Sequence, residues 1–102
     1  MKAVIDGLLY DTDTATEICD ISNGYSTNDF KYRSGKLYKT PNGRYFAAGS
    51  GGADSMFAVQ VGNERMGSND RIVALDMHTA RALAERYASI KTITQFFEVE
   101  EA

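Results

Sequence analysis

Short apolar runs broken by polar turns fill most of the chain, and a helical period takes over only near its end. Residues 2–5 read as a strand, Asp6-Gly7 has the residue types of a type I′ hairpin turn, and Leu8-Leu9-Tyr10 returns as the partner strand. Residues 12–15 read as a turn and 16–22 as a strand ended by Asn23-Gly24. The Thr14-to-Glu17 spacing also fits a capping box, and Ile18 and Ile21 sit three apart, which suits a helical turn there. Phe30 to Arg33 alternates like a half-buried strand, Ser34-Gly35 reads as a turn, and Leu37 to Thr40 runs back. Pro41-Asn42-Gly43 is a tight turn into a strand over 44–48. Residues 28–49 are thus expected to form a three-stranded meander.

Residues 56–61 read as a strand or a short helical turn, 62–71 as a polar loop and 72–75 as a buried strand. Asp76 has the side chain of an N-cap for a helix over 77–88, with Met77, Ala80, Leu83, Ala84 and Tyr87 on one face. Arg81 and Glu85 stand four apart on the other. Ser89 can cap a second helix to Phe97, with Ile90, Ile93 and Phe96 or Phe97 turned inward. The fold class expected is α+β: one domain over 1–102, with an antiparallel sheet of about five to six strands and C-terminal helices packed on one face. Residues 1–75 would be mainly β meander, 76–97 helical and 98–102 an acidic tail.

Composition narrows the chemistry. Cys19 and His78 are the only residues of their kinds, too few for a disulfide framework or a zinc site. Cys19 beside Ile18 and Ile21 reads as a small buried side chain rather than a reactive thiol. No apolar run approaches the roughly 18–20 residues of a membrane helix. Asp6 and Gly7 interrupt the first apolar patch, which does not read as a signal peptide. The expectation is a cytoplasmic protein that needs no membrane.

Net charge is −3 but unevenly spread. Residues 1–30 set six acids against Lys2, while residues 31–44 hold five bases and no acid. A mildly acidic chain therefore contains one basic island, and either sign could choose the partner.

The run Gly49-Ser50-Gly51-Gly52 follows a strand, as a phosphate loop would, but no Gly-Lys-Ser/Thr register comes after it. Glycines stand directly beside Ser50, so the Gly-x-Ser-x-Gly spacing of a nucleophile elbow fails too. A β-bulge or wide turn with close backbone approach fits better. Asp11 and Asp13 begin like a calcium loop, but the register stops at Ala15. No catalytic residue, metal ligand or cofactor site emerges, and the chain is expected not to be an enzyme.

Two surface readings remain. Asp11, Asp13, Glu17, Asp20 and Asp29 could present carboxylates spaced like a phosphate backbone, a DNA mimic for a basic channel. Lys31, Arg33, Lys36, Lys39 and Arg44 interleave with Phe30, Tyr32, Tyr38, Tyr45 and Phe46, and bases beside aromatics hold single-stranded nucleic acid. Strand alternation, however, sends the aromatics of 30–33 to the face opposite the bases. That favours a core of aromatics with a solvated basic face.

Several stretches also carry a family likeness: Tyr10 to Ala15, Ser22-Asn23, Asp29-Phe30 and, above all, Leu37 to Gly52, "LYKTPNGRYFAAGSGG". The chain resembles a group of small proteins from phages and mobile elements of bacteria, with the shared pattern Leu-Tyr-x-Thr-x-x-Gly-x-Tyr/Trp-Phe-x-x-Gly-x-Gly-Gly. The likeness covers roughly residues 8–90. It implies a mobile-element accessory protein, some of which act as anti-CRISPR inhibitors. They bind a Cas effector and block target DNA recognition or cleavage. The implied partner is a host protein with a basic nucleic-acid channel, met by the five acidic residues. The alternative is a nucleic-acid-binding accessory protein using the basic segment 30–46. Monomer and homodimer are both compatible with the pattern.

Overall fold

The computed structural model describes residues 1–102, arranged as eight strands in three antiparallel sheets followed by two helices. Strands β1 (Lys2–Ile5) and β2 (Leu8–Asp11) form a hairpin. Strands β3 (Thr16–Asp20), β4 (Arg33–Lys39), β5 (Tyr45–Gly51) and β8 (Ser68–Leu75) form the main sheet in the order β3-β4-β5-β8. Strands β6 (Val59–Val61) and β7 (Glu64–Met66) form a second small hairpin. Helices α1 (Met77–Tyr87) and α2 (Ile90–Phe96) complete the chain. No helix is long and apolar enough to cross a membrane.

The expected α+β class and helix-covered sheet are present, with more strands than the pattern suggests. The sheet is also covered on its second face. Tyr45 and Ala47 of β5 join Ile18, Ile21, Leu37, Phe57, Ala80, Ala84 and Phe97 in a core beneath the helices. Phe46 and Ala48 point the other way, into a cluster with Tyr10 and Ile72 that the β1–β2 hairpin covers through Ala3, Ile5 and Leu8. Successive residues of a strand face opposite sides. The unbroken run Tyr-Phe-Ala-Ala is therefore the sequence of a strand buried on both faces. Tyr10 meets the Phe46 ring edge-on at 5.5 Å, Tyr38 stacks on it at 5.0 Å, and Tyr45 stacks on Phe97 at 5.3 Å across the other core.

Local signals place several elements where the pattern expects them. Asp6 (φ 52°) and Gly7 (φ 78°) both have positive φ, as a type I′ turn requires. Gly43 (φ 87°) closes the β4–β5 connection, where its N–H donates to the Thr40 carbonyl at 2.9 Å. The Asp76 carboxylate accepts from the Thr79 N–H at 2.7 Å, and the Ser89 hydroxyl from the Thr92 N–H at 3.2 Å.

The expected three-stranded meander is corrected. Residues 27–31 form turns, with the Phe30 ring 73% exposed, and the strand begins only at Arg33. Ser34-Gly35 is not a turn but the middle of β4, paired with β5 without interruption from Arg33↔Gly51 to Lys39↔Tyr45. Gly35 is needed for close approach: a Cβ there would lie 2.9 Å from Phe57 Cζ and 2.7 Å from the Ala48 carbonyl oxygen. The expected loop at 62–71 holds β7 and the start of β8, and the stretch 56–61, expected as a strand or a short helical turn, is a turn at 56–57 and extended at 59–61. Gly62 (φ 60°) supplies the turn between β6 and β7.

Ala80, Ala84 and Phe97 are buried as expected, whereas Met77 is 59% and Ile90 81% exposed. Each is the first residue of its helix, and helical side chains lean towards the N-terminus. Their side chains therefore project beyond the turn that packs. Arg81 does not pair with Glu85; its guanidinium donates to the Glu98 carbonyl at 2.7 Å and ties down the start of the acidic tail.

β5 runs as far as Gly51 of the glycine run, with a bulge-like register shift against β8 between Gly49 and Gly51. A Cβ on Gly49 would lie 2.2 Å from the Ser34 carbonyl oxygen and 2.6 Å from Gly35 Cα. Backbone cannot retreat like the end of a flexible side chain. Gly49→Ala is therefore expected to lower stability by at least about 1–3 kcal/mol, read as a fall in the urea midpoint.

The Thr79 N–H also holds the Asp76 carboxyl below its ordinary pKa. Because folding lowers that pKa, the cap stabilises fully above the unfolded value of about 3.9 and is lost as pH falls through the lower folded one. Asp76→Ala is expected to lower the Tm at neutral pH and to flatten its acid-side decline. Asp76→Asn, which keeps a capping oxygen, is expected to retain most of the neutral-pH Tm in thermal circular dichroism.

Candidate functional site

The five acidic residues do not form one free surface. Asp11 ends β2 and is only 6% exposed, against the expectation of an exposed contact residue. Its carboxylate accepts from the Asp13 N–H at 2.9 Å and faces Lys2 Nζ at 3.9 Å, its cross-strand partner in the hairpin. Hairpin closure thus turns Asp11 inward, a role that linear spacing does not reveal. Asp13, Glu17, Asp20 and Asp29 are exposed. Asp20 accepts from the Ser22 N–H at 2.7 Å, which lowers its carboxyl pKa, and Asp29 accepts from the Lys31 N–H at 2.8 Å.

Glu17 pairs with Lys36 at 3.1 Å, and that hydrogen bond raises the lysine pKa. The acidic segment and the basic island therefore meet along the β3–β4 pair, where Asp20 lies opposite Lys36 and Thr16 opposite Lys39. Cys19, between these acids, is half-buried; burial first, then Asp20 and Glu17, push its thiol pKa up and away from reactivity.

The basic residues also separate. Lys39 Nζ lies 5.6 Å from the centre of the Tyr45 ring, and Arg44 is exposed beside the Thr40–Gly43 turn. Only Lys31 and Arg33 enter the largest cavity, about 630 Å³. There they meet Arg65 from β7 and Arg86 from α1, together with Tyr25 and Tyr87. Asp54 is the one carboxylate in the lining, and no carboxylate lies within 4.0 Å of any of the four cations; the two ion pairs of the chain lie elsewhere.

Arg33 is the most firmly held member of the group, while Arg65 Nη2 donates to the Ser55 carbonyl at 3.3 Å. Arg33 Nε donates to the Ile21 carbonyl at 2.7 Å and Arg33 Nη2 to the Tyr87 hydroxyl at 2.7 Å. Its guanidinium carbon stands 5.2 Å from the Tyr87 ring centre, and that of Arg86 stands 5.5 Å from the same ring. Asn23 organises the loop above. Its Oδ1 accepts from the Arg33 N–H at 3.0 Å and the Tyr25 N–H at 3.4 Å, while its Nδ2 donates to the Lys31 carbonyl at 2.7 Å. The outcome is a preformed groove with a local excess of positive charge, suited to an anionic ligand.

Reading the sequence does not single out Arg65 or Arg86. One belongs to a stretch that looks like a polar loop and the other to the solvated side of a helix. The glycine run lies at a different, smaller cavity of about 330 Å³, lined by residues such as Thr27, Tyr32, Ser50 and Asn69 and by no charged side chain. A Cβ on Gly51 would meet Ser55 Oγ at 2.2 Å, and one on Gly52 the Phe30 carbonyl oxygen at 2.5 Å. These glycines serve close packing, and turns rather than a helix follow them.

Comparisons with protein-family models, with curated proteins and with solved structures return no match.

The Arg33–Tyr87 contact joins the sheet to α1 at the floor of the groove. Tyr87→Phe keeps the ring but removes the acceptor, and is expected to lower stability by about 1 kcal/mol. Arg33→Ala, which also releases the Ile21 carbonyl, is expected to lower it further; chemical denaturation of the two variants makes the comparison.

Proposed function

We propose that this protein is a non-enzymatic accessory protein that binds nucleic acid through the Lys31–Arg33–Arg65–Arg86 groove. The observation that carries the reading is the convergence of four cations without a carboxylate partner in one groove, on a chain whose net charge is −3. A surface serving solubility alone needs no such cluster. Arginine forks beside the Tyr87 hydroxyl suit phosphate oxygens. The proposed setting is the cytoplasm of a bacterial host, as the resemblance to mobile-element proteins implies.

A second reading makes the protein an anti-CRISPR-type inhibitor of a Cas effector. It is supported by the same resemblance over Leu37 to Gly52 and by the exposure of Asp13, Glu17, Asp20 and Asp29. Asp11 is withdrawn from that surface by its burial.

Charge reversal separates the two. Arg65→Glu and Arg86→Glu, at two exposed positions, are expected to weaken oligonucleotide binding in fluorescence anisotropy. Each lost phosphate contact should also reduce the log–log salt slope by about 1. Reversal of the four exposed acids should leave that binding intact or tighten it. Absence of nucleic-acid binding at low salt overturns the first reading. Inhibition of Cas effectors that survives reversal of all four acids overturns mimicry in the second.

A further inference from the structure

We infer that the ligand of this groove is a single strand, with unpaired bases stacking on Tyr25 and Phe30 while its phosphates lie against the four cations. The inference rests on the nucleic-acid reading above and specifies the form of nucleic acid that the groove accepts. The distribution of aromatic side chains carries it. Eleven Phe and Tyr residues are present, and only Tyr25 and Phe30 are exposed, at 49% and 73%. Both stand on the segment between β3 and β4 that also supplies Lys31 and Arg33, and Tyr25 itself lines the groove.

Their exposure is built in. The Asp29 carboxylate accepts from the Lys31 N–H at 2.8 Å, and the Asp29 carbonyl from the Tyr32 N–H at 3.1 Å. The Phe30 carbonyl accepts from the Asp54 N–H at 2.7 Å, and the Tyr32 carbonyl from the Gly52 N–H at 2.9 Å. The backbone on both sides of the Phe30 ring is thus pinned to the end of β5, and the ring is held in water on an ordered turn. Asn23 fixes the Tyr25 side of the same segment.

A preordered aromatic beside a cationic track offers a π-face to a base, and stacking of this kind tolerates any sequence. In a duplex the base faces are already occupied by neighbouring bases, so these rings can be used only by an unpaired strand.

The test uses the intact chain and labelled strands of about twelve nucleotides, within the site sizes usual for single-strand binders. The probes are a thymidine strand, its abasic counterpart and a duplex of equal length, each titrated by fluorescence anisotropy at low and moderate salt. The thymidine strand is expected to bind at least about tenfold more tightly than the duplex or the abasic strand. Phe30→Ala and Tyr25→Ala are each expected to weaken thymidine-strand binding by about tenfold, leaving abasic-strand binding, the salt slope and the Tm unchanged. Tyr25→Phe, which keeps the ring, is expected to retain binding. Equal affinity for strand and duplex, still weakened by Arg86→Glu, overturns the single-strand inference and leaves the groove reading standing. Affinity unchanged by both alanine variants also overturns it. No binding of any probe overturns both, and points to a protein partner for the exposed aromatics.

Discussion

Strand β5 has to satisfy two cores at once, and the other elements are arranged around that demand. Tyr45 and Ala47 are shared with the helices, while Phe46 and Ala48 are shared with the first hairpin. A change of register by one residue would exchange these sets, sending Phe46 towards Ala80 and Ala84 and Tyr45 towards Tyr10. Seven consecutive pairs with β4 and the pairing with β8 prevent it. With both faces occupied, β5 has no solvent side, which explains why its apolar residues run together.

The same strand places the groove. Its small residues allow β4 and the segment before it to lie unusually close: Gly49 against Ser34 and Gly35, Gly51 against Tyr32, and Gly52 against Asp29 and Phe30. Arg33 pairs with Gly51 at the end of this contact, and from there its guanidinium reaches both the Ile21 carbonyl and Tyr87. The glycine run therefore acts at a distance from any ligand, by fixing the backbone from which Lys31 and Arg33 project. Tyr87 completes the arrangement from the helical side, with the guanidiniums of both Arg33 and Arg86 near its ring.

Charge on this molecule is organised by pairing as much as by sequence. Along β3 and β4, acids and bases that look like two separate blocks lie side by side, and Glu17 and Lys36 neutralise each other. Asp11 and Lys2 do the same within the first hairpin. Among the cations that no carboxylate pairs, Lys31, Arg33, Arg65 and Arg86 are gathered in one groove from three distant parts of the chain. An overall negative charge is therefore compatible with a positive groove, because fields at the surface are local, screened within about a Debye length, ~10 Å.

Features governed by backbone dihedrals and neighbouring hydrogen bonds are legible along the chain. These are the Asp6-Gly7 and Pro41-Asn42-Gly43 turns, the Asp76 and Ser89 caps, the amphipathic pattern of α1 and the α+β class. Each depends on residues within a turn or two of one another. Features that depend on distant partners are not legible in this way. Ser34-Gly35 looked like a turn because the Phe57 ring that fills the space above Gly35 comes from more than twenty residues away. Asp11 looked exposed because its inward position depends on hairpin closure, and Met77 and Ile90 looked buried because periodicity does not mark where a packed face ends. The groove was legible only as Lys31 and Arg33. Arg65 and Arg86 join them because the tertiary fold brings β7 and α1 to the same groove, a juxtaposition that no local pattern marks.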